Sequence, residues 1–347
     1  TKKLPNGKMH GMAFTSINEW HWGAGAMSFA VNSFACLILQ DGKVTIVGTR
    51  CDMGIDTESA YRHCVAAELG MKYEDVIVQQ QRSDNSAYCL AQPAGSAGTV
   101  NATVQLAIAA RELKLRILER AAAPMPGFPF GPQGSVKAKK PDDFDISDSM
   151  VFEKANPNRK WPVAQITGSF FNSNPIIVHP DVNTPIAMMS TGMMPQQYYV
   201  MPRQAHFIEV EVDTETGLVE VTNVVCVNDV GHLFNRRGAE AQQYGGAIMG
   251  LGKSATEEKI YCPVTGVGLN FDQLNYHIGT MNDYPEVQCF LHESHLGYGI
   301  YGSCGIGENV GASLAAITAS AIYNAVGKWI LDFPITPDKV LKALGRI

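Results

Sequence analysis

Residues 207–231 read FIEVEVDTETGLVEVTNVVCVNDVG. Phe207 to Val212 alternates apolar and charged side chains, the period of a strand with one buried face. Thr214-Glu215-Thr216-Gly217 supplies a turn, and Leu218 to Val227 returns as a second strand. Asn228-Asp229-Val230-Gly231 closes the pair and leads to a helix expected to begin near Arg236. That helix runs past Gln242-Gln243-Tyr244-Gly245-Gly246, whose glycines allow a ligand or another backbone to come close.

Working outward, the same grammar recurs. Ser33 to Leu39 and Val44 to Val47 read as strands around the Asp41-Gly42 turn. Asp56 to Leu69 reads as a helix ended by Gly70, and Val76 to Gln80 as a strand. A loop of small residues from Ala91 to Thr99 enters a long helix over Val100 to Ala122, with Asn101 near its start. A proline-rich stretch without apolar periodicity occupies 123–142 and is expected to be a linker. Phe144 to Lys160 resembles a short hairpin. Residues 161–200 are loop-rich, with Met188, Met189, Met193 and Met194 expected in packing roles. The last element expected is a helix after Gly311. Strands and helices are interspersed throughout, so the fold class is α+β, with two mixed α/β subdomains over 1–122 and 143–347 whose N- and C-terminal parts can interleave.

Composition narrows the function classes. Of 347 residues, 46% are hydrophobic and 17% charged, which fits a buried core rather than disorder. With 27 Lys and Arg against 33 Asp and Glu the net charge is −6, and no basic stripe offers a nucleic-acid surface. The eight cysteines include no C-x-x-C pair, which argues against a zinc knuckle or an iron–sulfur cluster held by this chain. They read as free thiols of a reducing compartment, and a cytoplasmic location is expected. No apolar run reaches membrane-spanning length; Leu314 to Ile330, broken by Thr318, Ser320, Asn324 and Lys328, reads as a buried helix. The N-terminus shows no apolar signal segment, and a start at Thr1 leaves a removed leader open.

Three glycine-rich segments stand before or within helices: Ala94 to Thr99, the Gly245/Gly246 stretch with Gln242, and Gly302 to Gly311. Exposed N–H groups at helix starts attract anions, and three such places in one chain point to a large, multiply anionic ligand. No Walker loop or dinucleotide fingerprint is present. Within Gly305-Ile306-Gly307-Glu308-Asn309-Val310-Gly311, Glu308 is a carboxylate between glycines just ahead of an apolar helix. That position favours the ionised form and suits a general base. A first-turn helix cap is the plainer role open to it.

These segments, in order, resemble the xanthine oxidase / aldehyde oxidoreductase family of molybdenum hydroxylases, over the second half of its molybdopterin-binding region. Cys51-Asp52-Met53-Gly54 is similar to the family's E-M-G-Q-G segment, and Ala94 to Thr99 to its A-A-S-x-x-T cofactor loop. Residues 207–231 resemble its strand pair ending in D-x-G. QQYGGAIMGLG at 242–252 resembles Q-x-E-G-x-x-x-Q-G-L-G, and Gly305 to Glu308 the G-x-G-E motif. The resemblance implies that Glu308 is the catalytic base, taking the proton of a water-derived oxygen that attacks an electron-poor carbon. It implies cofactor contacts from Ala94, Gly95, Ser96, Gly98, Thr99, Gln242, Gly305 and Gly307. The metal is then held by the pterin dithiolene and by no side chain of this chain, the pterin being expected as the cytosine dinucleotide. The chain departs from the pattern at Ile55, Tyr244 and Met249, where the family has two glutamines and a glutamate.

The family's G-G-G-F-G-G-K segment, its iron–sulfur motifs and its flavin domain have no counterpart in these residues. The resemblance therefore implies a split enzyme, similar in extent to the medium molybdopterin subunit of nicotinate dehydrogenase. A second molybdopterin subunit, an iron–sulfur subunit and an FAD subunit would be its partners. Two alternatives stay open: a reductive member similar to aryl-CoA reductases, and a degenerate scaffold subunit. Substrate identity is not written in the sequence. His179, His206, His232, His277, His292 and His295 are unassigned candidates for a pocket wall. Tyr298, Tyr301 and Cys304 stand where a flat aromatic substrate could be met.

Overall fold

The computed structural model describes residues 2–18, 34–38, 41–48, 52–79, 95–96, 98–123, 139–167, 176–178, 203–297 and 299–347. In chain order these form β1 (Lys2–Lys3), β2 (Met9–Asn18), β3 (Phe34–Ile38), β4 (Val44–Gly48), α1 (Thr57–Leu69), β5 (Val76–Val78) and α2 (Gly98–Ala122). There follow β6 (Phe144–Ser147), β7 (Met150–Glu153), β8 (Asn156–Pro162), α3 (Val163–Thr167), β9 (Ile176–Val178), β10 (Arg203–Val212) and β11 (Val219–Asp229). The C-terminal part holds α4 (Arg236–Ala255), β12 (Val287–His292), α5 (Asn309–Val326) and α6 (Pro337–Ala343).

Two hydrophobic cores result. In the first, a sheet of order β5-β4-β3-β9 is covered by α1 and α2. Cys36, Ile38, Val44 and Ile46 meet Val65, Leu69, Leu106 and Leu113 there, and the β6-β7-β8 meander adds Phe144, Ile146 and Val151. In the second, a sheet of order β1-β2-β10-β11-β12 packs against α5 and α4. Ile208, Val210 and Val212 project from one face of β10 onto this core, as the alternation of 207–212 requires. β10 and β11 pair antiparallel with a bulge between Glu209 and Val210, and β12 adds parallel to β11. The sheets do not follow chain order: β2 lies beside β10, and β9 beside β3.

The sequence reading did not anticipate β2, β12 or the terminal helix α6. β2 carries no apolar alternation because its buried face is Gly11 and Ala13, while Met12 and Phe14 face outward. The small residues are required: a Cβ on Gly11 would stand 2.1 Å from the carbonyl oxygen of Ala321 in α5. α5 is buried along most of its length, as Leu314 to Ile330 implied, and among the described residues no helix is long and apolar enough to cross a membrane. Cys36, Cys64, Cys226, Cys262, Cys289 and Cys304 are free thiols, and burial pushes those of Cys36, Cys226 and Cys304 up to about 12. Cys51, Cys89, most of 123–142 and the methionines between 188 and 194 lie outside the described residues.

Candidate functional site

A cleft of about 480 Å³ lies where the two cores meet. The first core supplies residues 53–56 and the start of α2; the second supplies one face of α4 and the loop from Ser303 to Glu308.

The 52–56 turn is built around one carboxylate. Asp52 Oδ1 accepts the backbone N–H groups of Gly54, Ile55 and Asp56 at 3.1, 3.1 and 3.2 Å, and Oδ2 accepts the Thr57 hydroxyl at 3.3 Å. Partial burial opposes ionisation of Asp52, but the hydrogen bonds from Gly54, Ile55 and Thr57 outweigh it and hold the carboxyl below its ordinary range. The next acid joins the cores. Asp56 Oδ2 accepts from Asn235 Nδ2 at 2.6 Å, while Asn235 Oδ1 accepts the Gly238 N–H at 3.1 Å and caps α4.

Along α4, Gly238, Gln242, Gly245, Gly246 and Met249 recur at helical spacing and line the cleft. Gln242 Nε2 reaches the Gly54 carbonyl at 3.4 Å. Its neighbour Gln243 is fully buried, and its amide donates to the Ile306 carbonyl at 3.1 Å, fixing the glycine loop ahead of Glu308. On the other side this loop rests on Ser96. The Glu308 N–H donates to Ser96 Oγ at 3.0 Å, and a Cβ on Gly305 would lie 2.0 Å from the Ser96 carbonyl oxygen. Glu308 occupies the N-cap position of α5, yet its side chain makes no capping hydrogen bond and is exposed at the cleft. The plainer capping role is therefore not what its carboxylate performs here.

The residues implied as a site thus converge: Ser96, Gly98, Thr99, Gln242, Gly305, Gly307 and Glu308 all line one cleft. Gly95 forms the adjacent turn without lining it, and Ala94 lies outside the described residues. Ile55 and Met249 are in the wall, whereas Tyr244 is exposed on α4 away from it. The sequence reading missed Asn235, Gln243 and Ser303. Asn235 had a usable signal, standing one residue before the expected helix start.

Of the candidate histidines, only His232 lines the cleft among the described residues. His206 is buried in the second core between Ser313 Oγ (2.6 Å) and Asn228 Oδ1 (3.3 Å). His277, His292 and His295 are exposed, and His179 and Tyr298 lie outside the described residues. The Tyr301 hydroxyl donates to Glu68, which also receives both arms of Arg111 at 2.7 and 2.8 Å. Tyr301 is thus turned toward α1, and of the two described members of the proposed substrate-facing group Cys304 borders the cleft.

The walls are largely apolar, through Met53, Ile55, Val230, Leu233 and Ile306, with a few polar groups that a ligand could meet. The first residues of α2, Gly98 and Thr99, present the N–H end of a 25-residue helix. Ser303 Oγ, in the wall, is buried without a hydrogen-bond partner, as is Gln243 Oε1 behind it. At Gly245 an added Cβ would meet nothing within 4 Å, so the cleft is open there.

Known proteins share this architecture. The chain is 31% identical over 157 residues to the aldehyde oxidoreductase molybdenum-binding subunit PaoC of Escherichia coli, covering 45% of this chain and 21% of that one. It is 25% identical over 343 residues to the probable hypoxanthine oxidase XdhD of the same organism, covering 95% of this chain and 33% of the relative. It therefore spans a third or less of these curated relatives. Quinoline 2-oxidoreductase from Pseudomonas putida 86 superimposes with a TM-score of 0.73 at 23% identity, over 98% of this chain and 42% of that one, a likeness of fold. The model of the molybdopterin cofactor-binding domain matches residues 2–285, and the chain belongs to that family.

Proposed function

We propose that this chain forms part of the molybdopterin site of a molybdenum hydroxylase, with Glu308 as its general base. The observation that carries the reading is the placement of Glu308, whose backbone is tied to the Ser96 loop while its carboxylate stays uncommitted at the cleft. When bound, the molybdenum cofactor would supply the two-electron oxidation, with oxygen drawn from water. Ser96, Gly98, Thr99 and Gln242 would hold the pterin and its phosphates through hydroxyl, amide and backbone N–H donors. Gly305 and Gly307 would let the loop carrying Glu308 lie against them. The Glu308 carboxylate would accept the proton of the attacking water-derived oxygen, which then adds to an electron-poor carbon of an aromatic, N-heteroaromatic or aldehyde-like substrate. The cytosine dinucleotide form of the pterin, a cytoplasmic location, a second molybdopterin subunit, and iron–sulfur and FAD subunits that take the electrons belong to the same proposal.

One observation favours a second reading. Ile55 lines the cleft where the family pattern has glutamine, as expected of a degenerate scaffold copy. Metal and pterin analysis of the purified complex separates the two, molybdenum and pterin being expected for the enzyme and neither for the scaffold. Glu308→Gln should retain the cofactor while turnover falls by about 10²–10⁴-fold, the usual contribution of a general base. Unchanged turnover would remove Glu308 from the chemistry.

A further inference from the structure

At the edge of the cleft, where His232 lines the wall, but outside the residues that would hold the pterin, stands a cluster with a different chemistry. We propose that His232, Glu293 and His295 form a site for a divalent transition-metal cation of the zinc type. One potential ligand atom from each lies within 4.8 Å of the others. Zinc bonds to imidazole and carboxylate are roughly 2.0–2.2 Å, which sets ligand atoms about 3–4 Å apart, so the triad needs to close by only about an ångström.

Each side chain is prepared for this role. His295 Nδ1 lies 3.2 Å from the Tyr301 carbonyl oxygen. A carbonyl only accepts, so Nδ1 carries the proton and Nε2 keeps its lone pair, the arrangement found behind metal-bound histidines. His232 Nδ1 is buried without a hydrogen-bond partner and lies 3.8 Å from Glu293 Oε1. The His232 ring is held edge-on by Phe234 and Tyr301, at 4.8 and 5.0 Å between centroids. Glu293 Oε1 is fixed by the Leu233 N–H at 2.8 Å.

The backbone beneath is already knitted. The His295 N–H donates to the Gly231 carbonyl at 3.0 Å, and the Cys304 N–H to the Val230 carbonyl at 2.9 Å. His295 holds a left-handed backbone, φ 55°, that places it back over this turn. Two imidazoles and one carboxylate select zinc and its neighbours in the first transition row over magnesium or calcium. A cation bound there would clip the turn after β11 to the loop after β12, which leads into the wall carrying Glu308. The site does not depend on the molybdopterin reading, since none of its ligands is assigned to that cofactor.

The test uses the intact protein, freed of loosely held metal by a chelator and titrated with zinc alone against a chromophoric competitor. One equivalent bound at micromolar or tighter affinity is expected. Glu293→Gln and His295→Ala should each weaken it at least tenfold, while His277→Ala, at an exposed histidine elsewhere, should leave it unchanged. Both test positions are exposed, so folding is expected to survive substitution, and circular dichroism verifies it. Absence of a stoichiometric site, or affinity in both triad variants equal to that of the unsubstituted protein, would overturn the proposal.

Discussion

The backbone N–H of Glu308 donates to the hydroxyl of Ser96 across 3.0 Å, joining residues 212 positions apart. Ser96 receives it from a left-handed backbone, φ 57°, that a serine holds only when its surroundings compensate. This bond links the loop before α2 to the loop before α5. Ser96→Ala keeps the Cβ and removes only the acceptor. Unfolding should become easier by about 1 kcal/mol, the net worth of one such bond, and the pterin should be lost faster on dilution. Thermal denaturation and pterin release measure the two effects, and no change in either would deny the bond any role.

Two glycines of the cleft should respond in opposite ways. Gly305→Ala sets a methyl 2.0 Å from the Ser96 carbonyl oxygen, so the loops must part, at a cost of about 1–3 kcal/mol. Gly245→Ala meets nothing within 4 Å and lies inside α4, where alanine is favoured over glycine by about 0.5–1 kcal/mol. Its methyl would nevertheless project into space the ligand needs. A raised melting temperature with lowered cofactor occupancy is expected for Gly245→Ala, and both lowered for Gly305→Ala.

Asn235 caps α4 and also holds Asp56 from the other core. Asn235→Ala should cost about 1–2 kcal/mol in denaturant unfolding, the upper part of the range for a lost N-cap, because a partly buried carboxylate loses its partner as well. A loss below about 0.3 kcal/mol would show that neither bond matters in solution.

His206 makes stability depend on acid. Burial lowers its pKa from 6.5, against a smaller raising effect from Asn228. Below roughly pH 6.5 the unfolded chain takes up a proton that the native core excludes, so stability falls from there down to the depressed native pKa and then levels. His206→Gln should flatten this part of the profile. Urea midpoints at pH 7 and pH 5 check it; equal slopes in the two proteins would rule His206 out as the cause.

How much of this was legible in the sequence depended on where each signal lay. The β10–β11 pair and α1, α4 and α5 announced themselves through periodicity and punctuation, as at Gly70, which ends α1 in a left-handed cap. β2 stayed hidden because α5 leaves Gly11 no room for a Cβ and the fully buried positions of the strand are the small Gly11 and Ala13. The cleft residues Ser96, Gln242 and Glu308 were found through ordered motifs. What the motifs could not supply is the partner of each: Gln243 on the Ile306 carbonyl and Asp56 on Asn235 are pairings between distant segments, which local sequence does not encode. The turn of Tyr301 toward Glu68 was hidden for the same reason.

The pairings that close the cleft are all long in sequence: Asp56 with Asn235 spans 179 residues, Gly54 with Gln242 188, and Ser96 with Glu308 212. Contacts of such separation carry the loop-closure entropy of the long segments between them. The whole cleft cannot be presented until the segments on both sides of each pairing have been made. The complete cleft therefore exists only in a chain whose distant segments have already found one another.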